Sequence, residues 1–185
     1  MSTATMSRPM WGIDSRTIVY AAIGAALYGV LALFSVVIPG SNNVSVRPAF
    51  AIVPFFGYAF GPVVGLFVGL VGNAIADQLS GYGLLTAWNW SIANGLVGML
   101  AGIFAATSLA RLGNNKILGA AVVAALATVI GMLFVFTDIW VFGNDFNTAL
   151  YGSYGWVVVP NLIAAVILVP VLALAWEPLK ESLGR

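Results

Sequence analysis

Histidine and cysteine are both absent from this 185-residue chain, and charged residues make up only 7% of it. The first absence removes disulfide frameworks, thiol chemistry, zinc centres built on Cys and His, and acid–base catalysis by imidazole. The second excludes an ordinary soluble domain, in which about 25% of residues are charged. Other signatures are missing too. No G-x-x-x-x-G-K-[ST] loop occurs, so the chain cannot bind and hydrolyse ATP by that route. There is no adjacent acidic pair with the spacing of a metal-dependent prenyl or phosphoalcohol transferase, and no serine with a histidine base. Asp145 falls in a loop, which argues against an intramembrane aspartyl protease, and neither duplicated Asn-Pro-Ala half-helices nor repeated halves are visible. The chain is therefore not expected to be an enzyme. Its formal net charge of +1 carries no nucleic-acid signature.

What is present is apolar: 61% of the residues are hydrophobic and the mean hydropathy is +1.02. Six spans of about 20 residues would use about 120, leaving roughly 65 for tails and connections. The expectation is an all-α, polytopic six-helix bundle forming one integral membrane domain over residues 1–185. Its helices are expected at about 16–38, 47–60, 62–79, 84–110, 117–141 and 156–176, with Pro39-Gly40-Ser41-Asn42-Asn43, Gly61-Pro62 and Ser80-Gly81-Tyr82-Gly83 as stops. Gly143 to Gly155 is read as the longest connection. Met1 to Ser15 lacks the apolar core and cleavage site of a signal peptide and is read as a retained cytoplasmic tail. Arg8, Arg16, Arg111, Lys116, Lys180 and Arg185 then share one side against Arg47 alone, which places both termini in the cytoplasm of a plasma-membrane protein.

On that topology the outward segments hold Asn42, Asn43, Arg47, Tyr82, Asn144, Asp145, Asn147, Tyr151 and Tyr154. Asn73, Asp77, Trp88, Asn89, Trp90, Asp138, Trp140, Trp156 and Asn161 lie along or near the adjoining helix ends. Amides and carboxylates orient a ligand by hydrogen bonding, and aromatic faces supply area for a flat molecule. Interfacial belts of Trp and Tyr are the alternative. Pairing of Arg47 with Asp77 or Asp138 is the alternative for the charges, because ionisable groups within a membrane are paired or functional.

Two small-residue patterns stand out. Gly57, Gly61, Gly65, Gly69, Asn73 and Asp77 recur every four residues, a spacing that lets another helix approach closely and aims Asn73 and Asp77 away from lipid. On the first helix, Thr17, Ala21, Ala25 and Gly29 form one such series and Ala22 with Ala26 a second, suited to internal packing or to contact with another membrane protein.

These segments resemble the substrate-binding membrane subunits, or S components, of energy-coupling factor (ECF) vitamin transporters, over about Asp14 to Leu179. The resemblance is carried by Ala21-Ala22-Ile23-Gly24-Ala25-Ala26-Leu27, by Arg47-Pro48-Ala49-Phe50 through Gly72-Asn73-Ala74-Ile75-Ala76-Asp77, and by Trp88-Asn89-Trp90-Ser91-Ile92-Ala93-Asn94-Gly95. It implies six helices around a vitamin site near the outer surface, with no permanently bound cofactor. It also implies docking, through Ala21, Ala22, Ala25 and Ala26, onto a membrane scaffold subunit driven by two cytoplasmic ATPases, on which the subunit topples to deliver its vitamin. The single outward Arg disfavours a polyanionic ligand, and generous outward loops with no compact polar cluster favour cobalamin as substrate, with riboflavin, or a proton-coupled carrier working alone, as alternatives.

Overall fold

The first helix begins where Asp14 and Thr17 close a reciprocal cap. The Thr17 amide donates to Asp14 Oδ1 at 2.8 Å and the Asp14 amide to Thr17 Oγ1 at 3.3 Å, satisfying two donors that a helix start leaves open. In the computed structural model, which describes residues 10–41 and 44–182, this helix (α1, Ser15–Leu31) ends well before residue 38. The apolar run does continue, but its β-branched members Val36, Val37 and Ile38 are stiff in a helix and suit a strand. They enter a small antiparallel hairpin in which β1 (Val36–Val37) pairs with β2 (Ser45–Val46), and the Ile38 amide donates to the Val44 carbonyl at 2.9 Å.

Arg47 leads through a 3-10 turn, Pro48–Ala51, into α2 (Ile52–Phe60), close to the expected 47–60. Gly61, at φ 102°, and Pro62 at the first helical position then start α3 (Pro62–Leu79), whose bounds match the expectation. α4 (Trp88–Ala105) is shorter at both ends than the expected 84–110. Positive φ at Gly81 and Gly83 keeps the approach in turns, and Thr107 caps a separate 3-10 stretch, Ser108–Asn114. α5 (Lys116–Gly131) is capped by the Asn115 side chain and runs on as a 3-10 turn, Met132–Thr137, and a short helix, α6 (Asp138–Val141). The segment read as an open connection is mostly wound. After Gly143, Asp145 caps a wide π-type turn, Thr148–Tyr154, that continues into α7 (Gly155–Ser182), longer than the expected 156–176.

Among the described residues, three helical runs are long and apolar enough to cross a membrane: Pro62–Leu79, Lys116–Val141 and Thr148–Lys180. Ser15–Leu31 and Pro48–Phe60 are apolar but shorter, so helix length alone does not carry a count of six spans.

Glycine sets how closely the central helices approach. A Cβ on Gly65 would run into the carbonyl of Gly98, and one on Gly69 into that of Asn94, so α3 and α4 touch backbone to backbone. At Gly72 a Cβ would meet Tyr28 and the Ala25 carbonyl, which locks α1 onto the other side of α3. At one end of the bundle aromatic rings pack together. Phe60 stacks on Tyr20 with centroids 4.4 Å apart and meets Trp176 edge-on at 4.9 Å.

Candidate functional site

The other end encloses a cavity of about 420 Å³ between α1, the hairpin, α3, α4, α6 and α7. Its first wall is a closed polar network. Arg47 Nη2 donates to Asp77 Oδ1 at 3.1 Å and Arg47 Nη1 to Asn73 Oδ1 at 3.2 Å, while Asn73 Nδ2 donates to Asp77 Oδ2 at 2.9 Å and to Ser91 Oγ at 3.1 Å. Asn73 and Asp77 meet because they are one helical turn apart on α3. Arg47 reaches them because the hairpin returns the chain over the top of that helix. The Tyr28 hydroxyl, fully buried on α1, lies 3.4 Å from Asn73 Oδ1 and 3.3 Å from Asn94 Oδ1 and donates to one or the other. Each Asp77 oxygen thus has a donor, one from Arg47 and one from Asn73, as burial of a carboxylate demands.

The second wall is built on Asp138, at the start of α6 and 2% exposed. Its Oδ1 accepts from Asn89 Nδ2 at 2.7 Å and from the Trp90 indole at 2.9 Å, and Asn89 Nδ2 also reaches Thr137 Oγ1 at 3.0 Å. Asn94 Nδ2 donates one turn back along α4 to the Trp90 carbonyl at 2.9 Å, which leaves its Oδ1 facing the Tyr28 hydroxyl. Apolar and aromatic surface from Val44, Phe50, Phe142 and Val157 fills the space between the two walls. The result is an apolar slot with polar groups fixed at its two sides, the usual build of a small-molecule site.

Of the residues singled out in the sequence, Arg47, Asn73, Asp77, Tyr82, Trp90, Asp138, Asn144 and Asn161 line this cavity. Asn89 stands behind the wall as the partner of Asp138. Trp88, Trp140 and Tyr151 instead point outward, at 45%, 78% and 70% exposure, as interfacial rings do. Asp145 serves as a helix cap: its Oδ1 accepts from the Asn147 amide at 2.8 Å and the Thr148 amide at 3.1 Å, and its Oδ2 from Thr148 Oγ1 at 2.7 Å. The hydrogen bond from the Thr148 hydroxyl, with the backbone bonds beside it, holds the Asp145 carboxyl below its ordinary pKa. Tyr154 packs on Phe136 and donates to the Val129 carbonyl at 3.0 Å, outside the cavity. Asn42 and Asn43 lie outside the described residues. The four helix-1 alanines divide. Ala21 and Ala25 are buried, at 6% and 2% exposure, because the glycine contacts draw that face onto α3; Ala22 and Ala26 remain exposed.

Sequence reasoning missed Tyr28, Ser91 and Asn94. Tyr28 sits one turn beyond Ala21 and Ala25 on the same buried face, and Asn94 one turn beyond Trp90, so helical spacing contained both. Among the described residues no group of three or more His, Cys, Asp or Glu could hold a metal ion.

Comparison with known proteins bears on the same segments. A UPF0397 protein of Streptococcus pneumoniae (strain CGSP14) is 42% identical over 89 residues, 48% of this chain and 47% of the relative. A UPF0397 protein of Vibrio atlanticus (strain LGP32) is 36% identical over 105 residues, 56% of each. The chain spans about half the length of the curated relatives it matches. No solved structure matches it. The model of the family described as ECF-type riboflavin transporter, S component, matches residues 12–177, a stretch that contains every wall of the cavity. The chain therefore belongs to that S-component family.

Proposed function

We infer that this chain is the capture subunit of an ECF-type importer: it binds a flat heteroaromatic vitamin in the cavity between Arg47 and Asp138 and hands it inward with the help of partner subunits. The observation that carries this reading is the cavity itself, an apolar slot of about 420 Å³ framed by fixed hydrogen-bonding groups in a chain of the S-component family. That volume falls near the low end of the ~300–1,000 Å³ typical of small-molecule sites. It favours a vitamin of riboflavin's size over cobalamin, whose corrin ring and nucleotide arm would require the walls to part.

The energy for import has to come from elsewhere, because the sequence holds no phosphate-binding loop. A membrane scaffold and two cytoplasmic ATPases, as the family implies, would supply it. The exposed Ala22 and Ala26 of α1 offer a smooth patch for the scaffold, where small side chains allow close helix approach. In the orientation set by the basic residues, the cavity opens outward and both termini lie in the cytoplasm of a plasma-membrane protein. The chain performs no covalent chemistry in this scheme; Arg47, Asn144 and Asn161 orient the ligand, Asn73 holds Arg47 and Asp77 in place, and the rings exclude water.

Two measurements test the reading. Reconstituted alone, the chain should bind vitamin saturably and transport none, with uptake appearing only when scaffold and ATPases are added. Uptake by the chain alone, abolished by a protonophore, would instead establish a proton-coupled carrier. Tyr151→Cys, at an exposed position in a chain with no cysteine of its own, should react with an impermeant maleimide from outside intact cells; reaction only after lysis would reverse the orientation.

A further inference from the structure

The two carboxylates of the cavity are balanced differently. Asp77 has a cation, Arg47, at 3.1 Å. Among the described residues Asp138, 2% exposed, is held by the neutral side-chain donors Asn89 and Trp90 alone, and both bonds fall on Oδ1. The other described basic residues, Arg16, Arg111, Lys116 and Lys180, are all exposed and none lines the cavity. A carboxylate buried without a countercharge is costly, and in a membrane the cost is a recurrent mark of a functional group. Two further features sit beside it. The rings of Trp90 and Phe142 line the same cavity, and Asn144 Nδ2 is buried there without an acceptor among the described residues. A carboxylate, aromatic faces and a waiting amide donor together suit a delocalised cation that also carries a hydrogen-bond acceptor.

We propose that the occupant of the cavity is a planar nitrogen heterocycle bearing a single positive charge, which supplies the cation that Asp138 lacks. This rests on the reading of the cavity as the capture site and adds the charge of the ligand to it. The loaded site is then electrically neutral: Arg47 balances Asp77 and the ligand balances Asp138. Neutrality lowers the cost of carrying the site through a low-dielectric bilayer. A neutral heterocycle would leave one net negative charge in the slot.

The test uses two fluorescent tricycles of similar size, proflavine, which is a monocation at neutral pH, and lumiflavin, which is neutral. Each is titrated into the full-length chain in lipid nanodiscs. Proflavine should bind about tenfold tighter or more, and Asp138→Asn should bring the two affinities to within about threefold of each other, because asparagine keeps an oxygen for Asn89 and Trp90 but removes the charge. A thermal melt confirms that the variant is folded, and the wild-type ratio is decisive even where it is not. Equal binding, or tighter binding of lumiflavin, would overturn the charge inference and leave the capture reading standing. A preference for proflavine that survives in folded Asp138→Asn would also overturn it, since the cation would then sit elsewhere. Saturable binding of neither tricycle would remove the capture reading and the inference together.

Discussion

The two halves of α3 share one four-residue stripe and use it for opposite ends. In the half with Gly65 and Gly69 the stripe has no side chains, and the carbonyls of Gly98 and Asn94 lie where a Cβ would be. In the half with Asn73 and Asp77 the same stripe carries polar groups bonded to each other and to Arg47, Ser91 and Tyr28. The difference shows how a membrane bundle can afford polar groups at all. Close backbone packing in one half fixes the spacing of the helices, and that spacing puts hydrogen-bond partners within 3.5 Å in the other.

The contrast breaks most severely at Arg47. Arg47→Met leaves Asp77 buried with no cation and should destabilise the fold by about 3–5 kcal/mol, while adding Asp77→Leu should recover most of the loss. Thermal melts in detergent would show it, and an unchanged single variant would mean that the pair does not hold the wall. Next in size is the glycine half, where Gly69→Val forces the Asn94 carbonyl away and should cost about 1–3 kcal/mol in the same assay. It should also weaken ligand binding, because Asn94 lines the cavity and meets the Tyr28 hydroxyl. If binding survives the loss of packing, the two halves of α3 are independent.

A smaller effect is expected at Tyr28→Phe, which removes one buried hydroxyl and should cost about 0.5–1.5 kcal/mol. On α1 the exposed and buried alanines allow a sharper comparison. Ala22→Trp should reduce scaffold-dependent uptake with vitamin binding intact, whereas Ala25→Trp should damage stability and binding together. Parallel losses in both would assign Ala22 to internal packing. The slightest change is expected at the Asp145 cap. Its carboxyl is held below its ordinary value, so its stabilising contribution is present above the unfolded pKa and fades as pH falls below about 4, through the folded value. Hydrogen exchange of the Thr148 amide against pH should show protection lost on acidification in the wild type, and a flat profile in Asp145→Ala.

Much of this was legible in the residues themselves. Polar side chains are scarce in apolar helices and expensive there, which singles out Arg47, Asn73, Asp77, Asp138 and Asn161 in the sequence; in the structure all five line one cavity. The bounds of α3 followed from Gly61-Pro62 at one end and Ser80-Gly81 at the other. Hydropathy alone could not separate helix from strand at Val36 and Val37, since both bury apolar side chains and only the hairpin partner Ser45–Val46 decides. Nor could it reveal the winding of residues 148–154, where glycine and polar residues read as a turn but Asp145 starts a helix. The aromatic residues were the hardest to sort. Trp90 and Trp88 are near neighbours in sequence, yet one faces the cavity and the other is 45% exposed, a distinction set by the rotation of α4.

The backbone ladder of α7 lacks three rungs. Pro160, Pro170 and Pro178 have no amide hydrogen to offer the carbonyls of Trp156, Val166 and Leu174 one turn earlier. A rod notched in this way flexes at its notches at little cost, since no bond present at rest has to rupture. Pro170 thus divides the stretch that brings Asn161 to the cavity from the stretch that brings Trp176 to Phe60.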